Sequence, residues 1–207
     1  MSRSANPSPA TTAALAAVPL FPLNTVLFPG GPLPLRIFET RYVDMVRHCM
    51  RERCPFGVVL IRAGGEVGAV ADTAEIGTTA RIVDFNSMPD GLLGITCMGE
   101  QKFRVLKRWQ QDDGLNVADI QMLPPEEQVD LPGEFQHLGM LLRKVLPELG
   151  ELYAKIPKHF DDSAWVGNRL AEILPVSLSE KQQCLEIDDP LVRLGRLNPL
   201  IRRSEES

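Results

Sequence analysis

Two glycines, Gly94 and Gly99, have the spacing that opens a phosphate-binding loop. Such a loop continues with a lysine and a hydroxyl residue, whereas this chain continues with Glu100 and Gln101. A carboxylate at that position would repel a phosphate group. The segment therefore predicts a strand and a turn, and we expect no nucleotide or other cofactor.

The residues that could carry acid–base chemistry are scattered. His48, His137 and His159 are isolated in sequence from any cysteine, serine or aspartate that would complete a catalytic set. Neighbouring aspartates occur at 112–113, 161–162 and 188–189, and neighbours of this kind normally serve helix caps and turns. We therefore predict no catalytic residue and no enzyme. The alternative is a small enzyme whose site is assembled from distant residues.

The cysteine pattern predicts neither zinc nor disulfides. The four cysteines are Cys49, Cys54, Cys97 and Cys184, and no two of them form a C-x-x-C pair. A zinc site needs closely spaced ligand pairs, so we expect no bound metal. The pattern favours reduced thiols in a cytoplasmic protein, packed as small hydrophobic groups.

Residues 102–109, KFRVLKRW, form a basic cluster that also contains aromatic rings. A strand with such cations and aromatic rings can neutralise and stack on a nucleic-acid backbone, so RNA binding is an alternative function. The chain as a whole has a net charge of −5, which disfavours a general nucleic-acid footprint. We therefore expect a solvated, basic strand edge and no nucleic-acid partner.

The composition and apolar spacing divide the chain into three regions. Residues 1–17, rich in small residues and proline, predict a disordered tail. Residues 18–124 predict a twisted sheet or small barrel with one helix inserted over Arg41–Arg53. In residues 125–207 the apolar spacing becomes helical and predicts a helical subdomain. No apolar run approaches the roughly 18 residues that span a bilayer.

Local patterns place the individual elements. Alternating or continuous apolar runs predict strands at Phe56–Arg62, Ile76–Phe85, Leu92–Cys97, Gly99–Trp109 and Leu115–Leu123. Three later segments carry the residue types that cap helix N-termini. These are Asp161–Ser163, Ser177–Glu180 and Asp189–Pro190.

The segment Val18–Tyr42, VPLFPLNTVLFPGGPLPLRIFETRY, resembles the start of the Lon N-terminal, substrate-binding domain. The resemblance continues in order through residues 74–83, 91–105 and 165–194. It implies an α+β fold in which a PUA-like β-barrel precedes a C-terminal helical bundle. The residues that match the family motif are Pro22, Leu23, Phe28, Pro29, Gly30, Leu35, Phe38 and Tyr42.

The resemblance also implies a function. Full Lon proteases add an ATPase module with a phosphate loop and a protease module with a Ser-Lys dyad, and this chain ends at Ser207 without either. We therefore expect a stand-alone, non-catalytic protein that binds unfolded or apolar polypeptide segments in a groove between barrel and helices, or by strand addition at a sheet edge. A protease or chaperone is a further candidate partner, and the oligomeric state stays open. Phe38, Arg41 and Tyr42 are the predicted groove wall.

Overall fold

The computed structural model describes residues 13–64, 72–88 and 91–205. Seven strands occupy the described part of the chain: β1 Ala14–Leu23, β2 Pro32–Ile37, β3 Phe56–Ala63, β4 Asp72–Thr73, β5 Ile76–Ser87, β6 Leu93–Gln110 and β7 Asn116–Met122. The helices are α1 Thr40–Glu52, α2 Gln136–Val145, α3 Glu151–Ala154, α4 Ser163–Ile173, α5 Leu178–Glu186 and α6 Pro190–Glu205.

The strands form one mostly antiparallel sheet whose path returns to its first strand. The order is β1-β7-β6-β5-β3-β4, and β1 also pairs with β3 in parallel. The long strand β6 carries β5 on one side, and β2 and then β7 on the other. Among the described strands, β2 pairs only with β6.

The prolines of β1 lie where that strand has one partner. Pro19 pairs with Val117 of β7, and Pro22 pairs with Val59 of β3. Between them, Leu20 is paired on both sides, with Asn116 of β7 and Gly57 of β3. Because proline has no backbone N–H, it fits a strand only where one side needs no donor. The proline-rich opening segment can therefore enter the sheet.

The predicted disordered tail over residues 1–17 is wrong for its last four residues. Residues 1–12 lie outside the described residues, but Ala14 and Leu15 pair with Gln121 and Ile120 of β7. These small side chains gave no strand pattern in the sequence. Their backbone groups nevertheless extend the ladder, because β7 offers an unpaired edge that only the folded chain creates.

Two predicted strands, Leu92–Cys97 and Gly99–Trp109, are one continuous strand, β6. Gly99 does not interrupt it. Its N–H donates to the carbonyl oxygen of Gly31 at 2.9 Å, and its own carbonyl accepts from the N–H of Gly30 at 2.8 Å. A Cβ at Gly99 would lie 2.3 Å from the carbonyl oxygen of Phe28. The glycine thus permits the turn at Phe28–Gly31 to touch the strand.

Local helix signals are confirmed. Helix α1 lies within one residue of the predicted span Arg41–Arg53, and Arg53 follows its last residue with a left-handed φ of 53°. Each predicted capping site provides a side-chain oxygen that accepts hydrogen bonds from the first amides of its helix. The caps are Asp162 of α4, Ser177 of α5 and Asp189 of α6. Within the described chain, no helix has both the length and the apolar character needed to cross a membrane.

Apolar packing joins the helices to the sheet. One cluster brings Phe28 and Ile76 of the sheet region together with Leu138 of α2, Leu170 of α4 and Leu197 of α6. A second cluster packs α1 against the first half of β6, and a third fills the space among β1, β3, β6 and β7. The helices after β7 therefore lie against the strands and form a boundary where side chains from both meet.

Candidate functional site

A crevice of about 540 Å³ lies at the boundary between sheet and helices. Its walls are the turn at Pro29 and Gly30, the β6 segment 100–102, the connection after β7 at 124–128 and the first half of α4. Trp165 and three prolines give it a mainly apolar accessible lining. The lining residues are Pro29, Gly30, Glu100, Gln101, Lys102, Pro124, Pro125, Glu126, Gln128, Asp162, Ala164, Trp165 and Asn168.

Arg169 of α4 fixes the wall at Pro29. Its guanidinium is fully buried and donates from Nη2 to the carbonyl oxygen of Pro29 at 2.9 Å. The same Nη2 lies 2.9 Å from Oε2 of Glu172, which accepts at Oε1 from the hydroxyl of Tyr153 at 2.8 Å. A Cβ at Gly31 would lie 2.9 Å from Nη2. The glycine therefore makes room for the arginine, and we call Arg169, Glu172 and Tyr153 the Arg169 cluster.

Burial dominates the electrostatics of the Arg169 cluster. It raises the pKa of the Glu172 carboxyl, although the charge of Arg169 and the hydroxyl of Tyr153 oppose that shift. Burial also lowers the pKa of Arg169 and raises that of Tyr153. Nε and Nη1 of Arg169 have no hydrogen-bond partner among the described residues. Burying charged side chains with unpaired N–H groups costs free energy. The packing around the Arg169 cluster must therefore hold these side chains in place.

A second group of charges, buried except for the exposed carboxylate of Asp188, fixes the opposite wall. Nζ of Lys102 lies 3.0 Å from Glu126 and 2.9 Å from Asp188, and Nη1 of Arg193 donates to Oε2 of Glu126 at 2.8 Å. Lys102 also donates to the carbonyl oxygens of Leu185 and Ile187 at the end of α5. We call Lys102, Glu126, Asp188 and Arg193 the Lys102 cluster. It joins β6, the connection after β7 and α6.

Asn168 lies between the two clusters at the floor of the crevice. Its side chain is 5 % exposed, and its Oδ1 has no hydrogen-bond partner in the described part of the chain. Its Nδ2 makes a long contact of 3.5 Å with Oε2 of Glu126. The amide oxygen is thus a buried acceptor without a described partner beneath the crevice, and a ligand reaches it only when the side chain turns outward.

The interaction that the crevice can offer a ligand is mainly apolar contact. In the Lys102 cluster two cations face two carboxylates, and Glu100 at the rim is paired with Arg81 at 2.7 Å. Oδ1 of Asp162 is occupied by the first amides of α4. Because these charges satisfy one another, the surface that would gain most from a ligand is the proline and tryptophan lining.

The three residues predicted as the groove wall do not form one surface. Phe38 is 60 % exposed just after β2. Arg41 is held by the carbonyl oxygen of Gly114 at 2.7 Å and by Glu39 at 2.7 Å. Tyr42 is 3 % exposed and stacks on the Phe21 ring with 3.9 Å between centroids. Tyr42 is therefore a core residue and not a groove wall, because the apolar face of α1 points at the sheet. None of the three lines the crevice, and binding at Phe38 stays a prediction.

The basic strand is not one continuous surface either. Lys102 is buried in its cluster, and Arg108 donates to the Thr73 hydroxyl at 2.6 Å. Arg104 and Lys107 are exposed, and Lys107 lies over the Trp109 ring. The prediction of a wholly solvated basic edge is wrong for Lys102, because helices cover that part of β6. The cations used internally also leave little for a nucleic-acid backbone.

Sequence reasoning missed the charged residues that hold the crevice. Arg169 and Arg193 occupy helical stripes in which a cation normally faces solvent. Glu126 follows Pro124 and Pro125, where the predicted sheet region ends. The signal that could have pointed to Arg169 is the glycine pair at 30–31, which leaves room for a large side chain from elsewhere.

A polar crevice of about 560 Å³ lies beside the first one and includes His159, Asp130 and Asp161. These residues serve structural contacts. Asp161 lies 3.3 Å from Arg143, the His159 ring meets the Trp165 ring edge-on, and residue 130 forms a bridge with residue 162. Among the described residues, no group of histidine, cysteine and carboxylate side chains is placed to hold a metal ion.

Comparison with known proteins places the chain among substrate-recognition domains. The family model described as the ATP-dependent protease La (LON) substrate-binding domain matches residues 17–203. The crystal structure of a Lon N-terminal domain protein from Xanthomonas campestris is 37% identical, with a TM-score of 0.74 over 89% of this chain and 98% of that one. The N-terminal domain of a Mycobacterium avium complex Lon protease, 16% identical with a TM-score of 0.61 over 87% of this chain and 95% of that one, shares the fold.

Longer relatives match over nearly the whole of this chain. The Lon protease of Anaeromyxobacter dehalogenans is 29% identical over 200 residues, covering 92% of this chain and 24% of its own length. Lon protease 2 of Myxococcus xanthus is 29% identical over 91% of this chain and 24% of its own length. The chain thus spans about a quarter of the length of these curated relatives, and the matched region is the substrate-binding domain.

Proposed function

This chain belongs to the family of the ATP-dependent protease La (Lon) substrate-binding domain, and on that premise we propose that it binds unfolded or apolar polypeptide segments without breaking bonds. The binding site is the crevice between sheet and helices. The observation that carries the proposal is a cleft with an apolar lining whose charged residues are already paired with one another. A protease or chaperone is the partner to which a captured segment would pass.

The proposal includes the architecture that presents the crevice. The strands β1-β7-β6-β5-β3, with β1 also paired to β3, support a closed PUA-like barrel over residues 18–124. The mutual contacts of α2, α4, α5 and α6 support a helical bundle over residues 125–207. In this arrangement the crevice lies where barrel and bundle meet.

Burial in the crevice is favoured over strand addition at β2. That strand has β6 as its described neighbour and carries Pro32 and Pro34. A strand added there would find proline nitrogens that cannot donate hydrogen bonds. The crevice, by contrast, has the volume of a ligand pocket, which is about 300–1,000 Å³. An extended segment would bury apolar side chains against Trp165 and the three prolines.

The expected affinity is low. Each apolar side chain moved from water to the crevice contributes about 1.5–3 kcal/mol, and the crevice has room for two or three. Lost translational freedom and ordering of the segment offset part of this gain. Three side chains supply at most about 9 kcal/mol, and association costs about 4 kcal/mol or more. A dissociation constant of hundreds of micromolar, about −5 kcal/mol, is therefore expected.

Fluorescence anisotropy with labelled peptides tests the proposal. The probe is a short fluorescein-labelled peptide of alternating Leu, Phe and Ser, and its control is a Ser/Gly peptide of equal length. Ala164→Glu puts a carboxylate on the crevice wall in the first turn of α4, where the helix dipole tolerates it. We expect wild type to prefer the apolar peptide, and Ala164→Glu to weaken its binding by about tenfold or more.

Two control variants decide the location. Ala154→Glu makes the same change at an exposed position outside the crevice and should bind like wild type. Phe38→Ser removes the exposed ring after β2. If Phe38→Ser abolishes binding and Ala164→Glu does not, the site is at Phe38 and the crevice assignment is wrong. If wild type binds neither peptide, or both equally, the proposed function itself is overturned.

A further inference from the structure

Two cysteine side chains meet where α1 ends. The N–H of Cys54 donates to the carbonyl oxygen of Cys49 at 3.2 Å, and Arg53 between them is left-handed with φ 53°. This is the long hydrogen bond of a Schellman ending, which brings the residue after the left-handed position against the last helical turn. The thiols of Cys49 and Cys54 accordingly lie close enough for Cys54 to contribute to the raised pKa of Cys49.

This pair opens to solvent through its own crevice. A cleft of about 350 Å³ between α1 and β5 is lined by both cysteines together with Met50, Arg53 and Phe85. Cys54 is partly exposed, whereas Cys49 is 3 % exposed. A small reagent therefore meets Cys54 first and finds Cys49 directly behind it.

We propose that Cys49 and Cys54 form a two-thiol modification site, at which a hydroperoxide oxidises the pair to a disulfide. The Cys54 sulfur attacks one peroxide oxygen, the O–O bond breaks, and water or an alcohol leaves with the thiol proton. The Cys49 sulfur then forms the S–S bond and displaces the new hydroxyl group as a second water. Two thiol hydrogens are lost, and the peroxide accepts two electrons.

The backbone geometry suits this link. The hydrogen bond between Cys54 and Cys49 brings their Cα atoms near the separation of about 4.4–6.8 Å that a disulfide spans. Burial raises the pKa of Cys49 to about 12, so Cys49 is not the thiol that the peroxide oxidises first. Cys97 lies close to Cys49 but is fixed on β6 and fully buried, and Cys184 lies in the helical cluster. The pair at the helix end is thus the one that both faces solvent and can close.

Peptide mass spectrometry of the full chain tests the site. The protein is treated with hydrogen peroxide, the excess peroxide is removed, the remaining thiols are alkylated in denaturant, and the chain is digested with trypsin. Cleavage after Arg51 and Arg53 separates residues 48–51 from residues 54–62, so only a disulfide can hold these peptides together. We expect this linked pair, lighter by two hydrogen atoms than its separate parts, and a fall in alkylatable thiols from four to two.

Single variants separate this link from its alternatives. Cys97→Ser should leave the linked pair intact, and Cys54→Ser should abolish it while circular dichroism shows an unchanged fold. Linkage of residues 48–51 to the peptide that contains Cys97 would overturn the proposal. Oxidation of Cys54 to a sulfinic acid while Cys49 remains alkylatable would overturn it as well.

Discussion

Two buried cations anchor parts of the chain that are distant in sequence. Lys102 reaches Asp188 across 86 residues, and Arg169 reaches the carbonyl oxygen of Pro29 across 140 residues. Both donate to backbone carbonyls as well as to carboxylates. A buried cation stabilises a fold only when these bonds offset the loss of its hydration. Removing one partner therefore costs more than the pair contributes.

Lys102→Met is expected to lower the free energy of unfolding by about 3 kcal/mol, because it leaves the carboxylate of Glu126 buried with one cation fewer. Lys107→Met is the matched control, since Lys107 is exposed on the same strand, and it should cost less than about 1 kcal/mol. Urea unfolding measures both. Equal losses in the two variants would show that burial of Lys102 has no special energetic consequence.

At the scale of elements, the turn at Phe28–Gly31, which lies between β1 and β2 in the chain, contacts both β6 and α4. On one side its backbone is hydrogen-bonded to Gly99 of β6, and on the other it accepts from Arg169 of α4. Gly30 adopts a left-handed φ of 70°, which favours glycine. The glycines of this turn therefore lie where the turn, β6 and the Arg169 side chain of α4 contact one another.

Gly99→Ala should destabilise the protein by about 2–3 kcal/mol, since its Cβ would lie 2.3 Å from the carbonyl oxygen of Phe28 and must push the turn away. Gly133→Ala adds the same methyl group where nothing lies within 4 Å and should be close to neutral. Thermal unfolding of both variants gives the comparison. Near-neutral behaviour of Gly99→Ala would mean that the turn is not held tightly against β6.

At the scale of the whole molecule, the sheet and the helices should unfold together. One apolar cluster contains residues from both, and the two charge clusters cross the same boundary. An interface that combines apolar packing with buried ion pairs cannot open without exposing both. The crevice therefore lies between surfaces that remain in place when a ligand binds.

The two tryptophans report on this cooperativity. Trp109 lies on β6 and Trp165 on α4, so Trp109→Phe leaves a probe in the helices and Trp165→Phe leaves one in the sheet. We expect both fluorescence transitions in urea to have the midpoint that far-ultraviolet circular dichroism gives for the same variant. Separate midpoints for the two probes would show that sheet and helices are independent units.

The sequence by itself determined the local elements and the family. The helix α1, the caps Asp162, Ser177 and Asp189, and most strands follow from apolar periodicity and from side chains that bond amides two or three residues away. The ordered resemblance along residues 18–197 predicted a substrate-binding domain, and the family model confirms it. These features depend on residues that are close together in the chain, so the sequence alone is enough to predict them.

Only the tertiary structure decided which charges are buried and where a cleft lies. Nothing local distinguishes Lys102, which is buried, from Lys107, which is exposed, because the difference is made by helices that arrive after residue 133. The crevice likewise combines Pro29, Lys102, Glu126 and Asn168 from four separate segments. The same holds for Tyr42, whose aromatic ring could serve a surface as well as a core until α1 packed on the sheet. Burial is a property of long-range contacts, and local patterns do not encode those contacts.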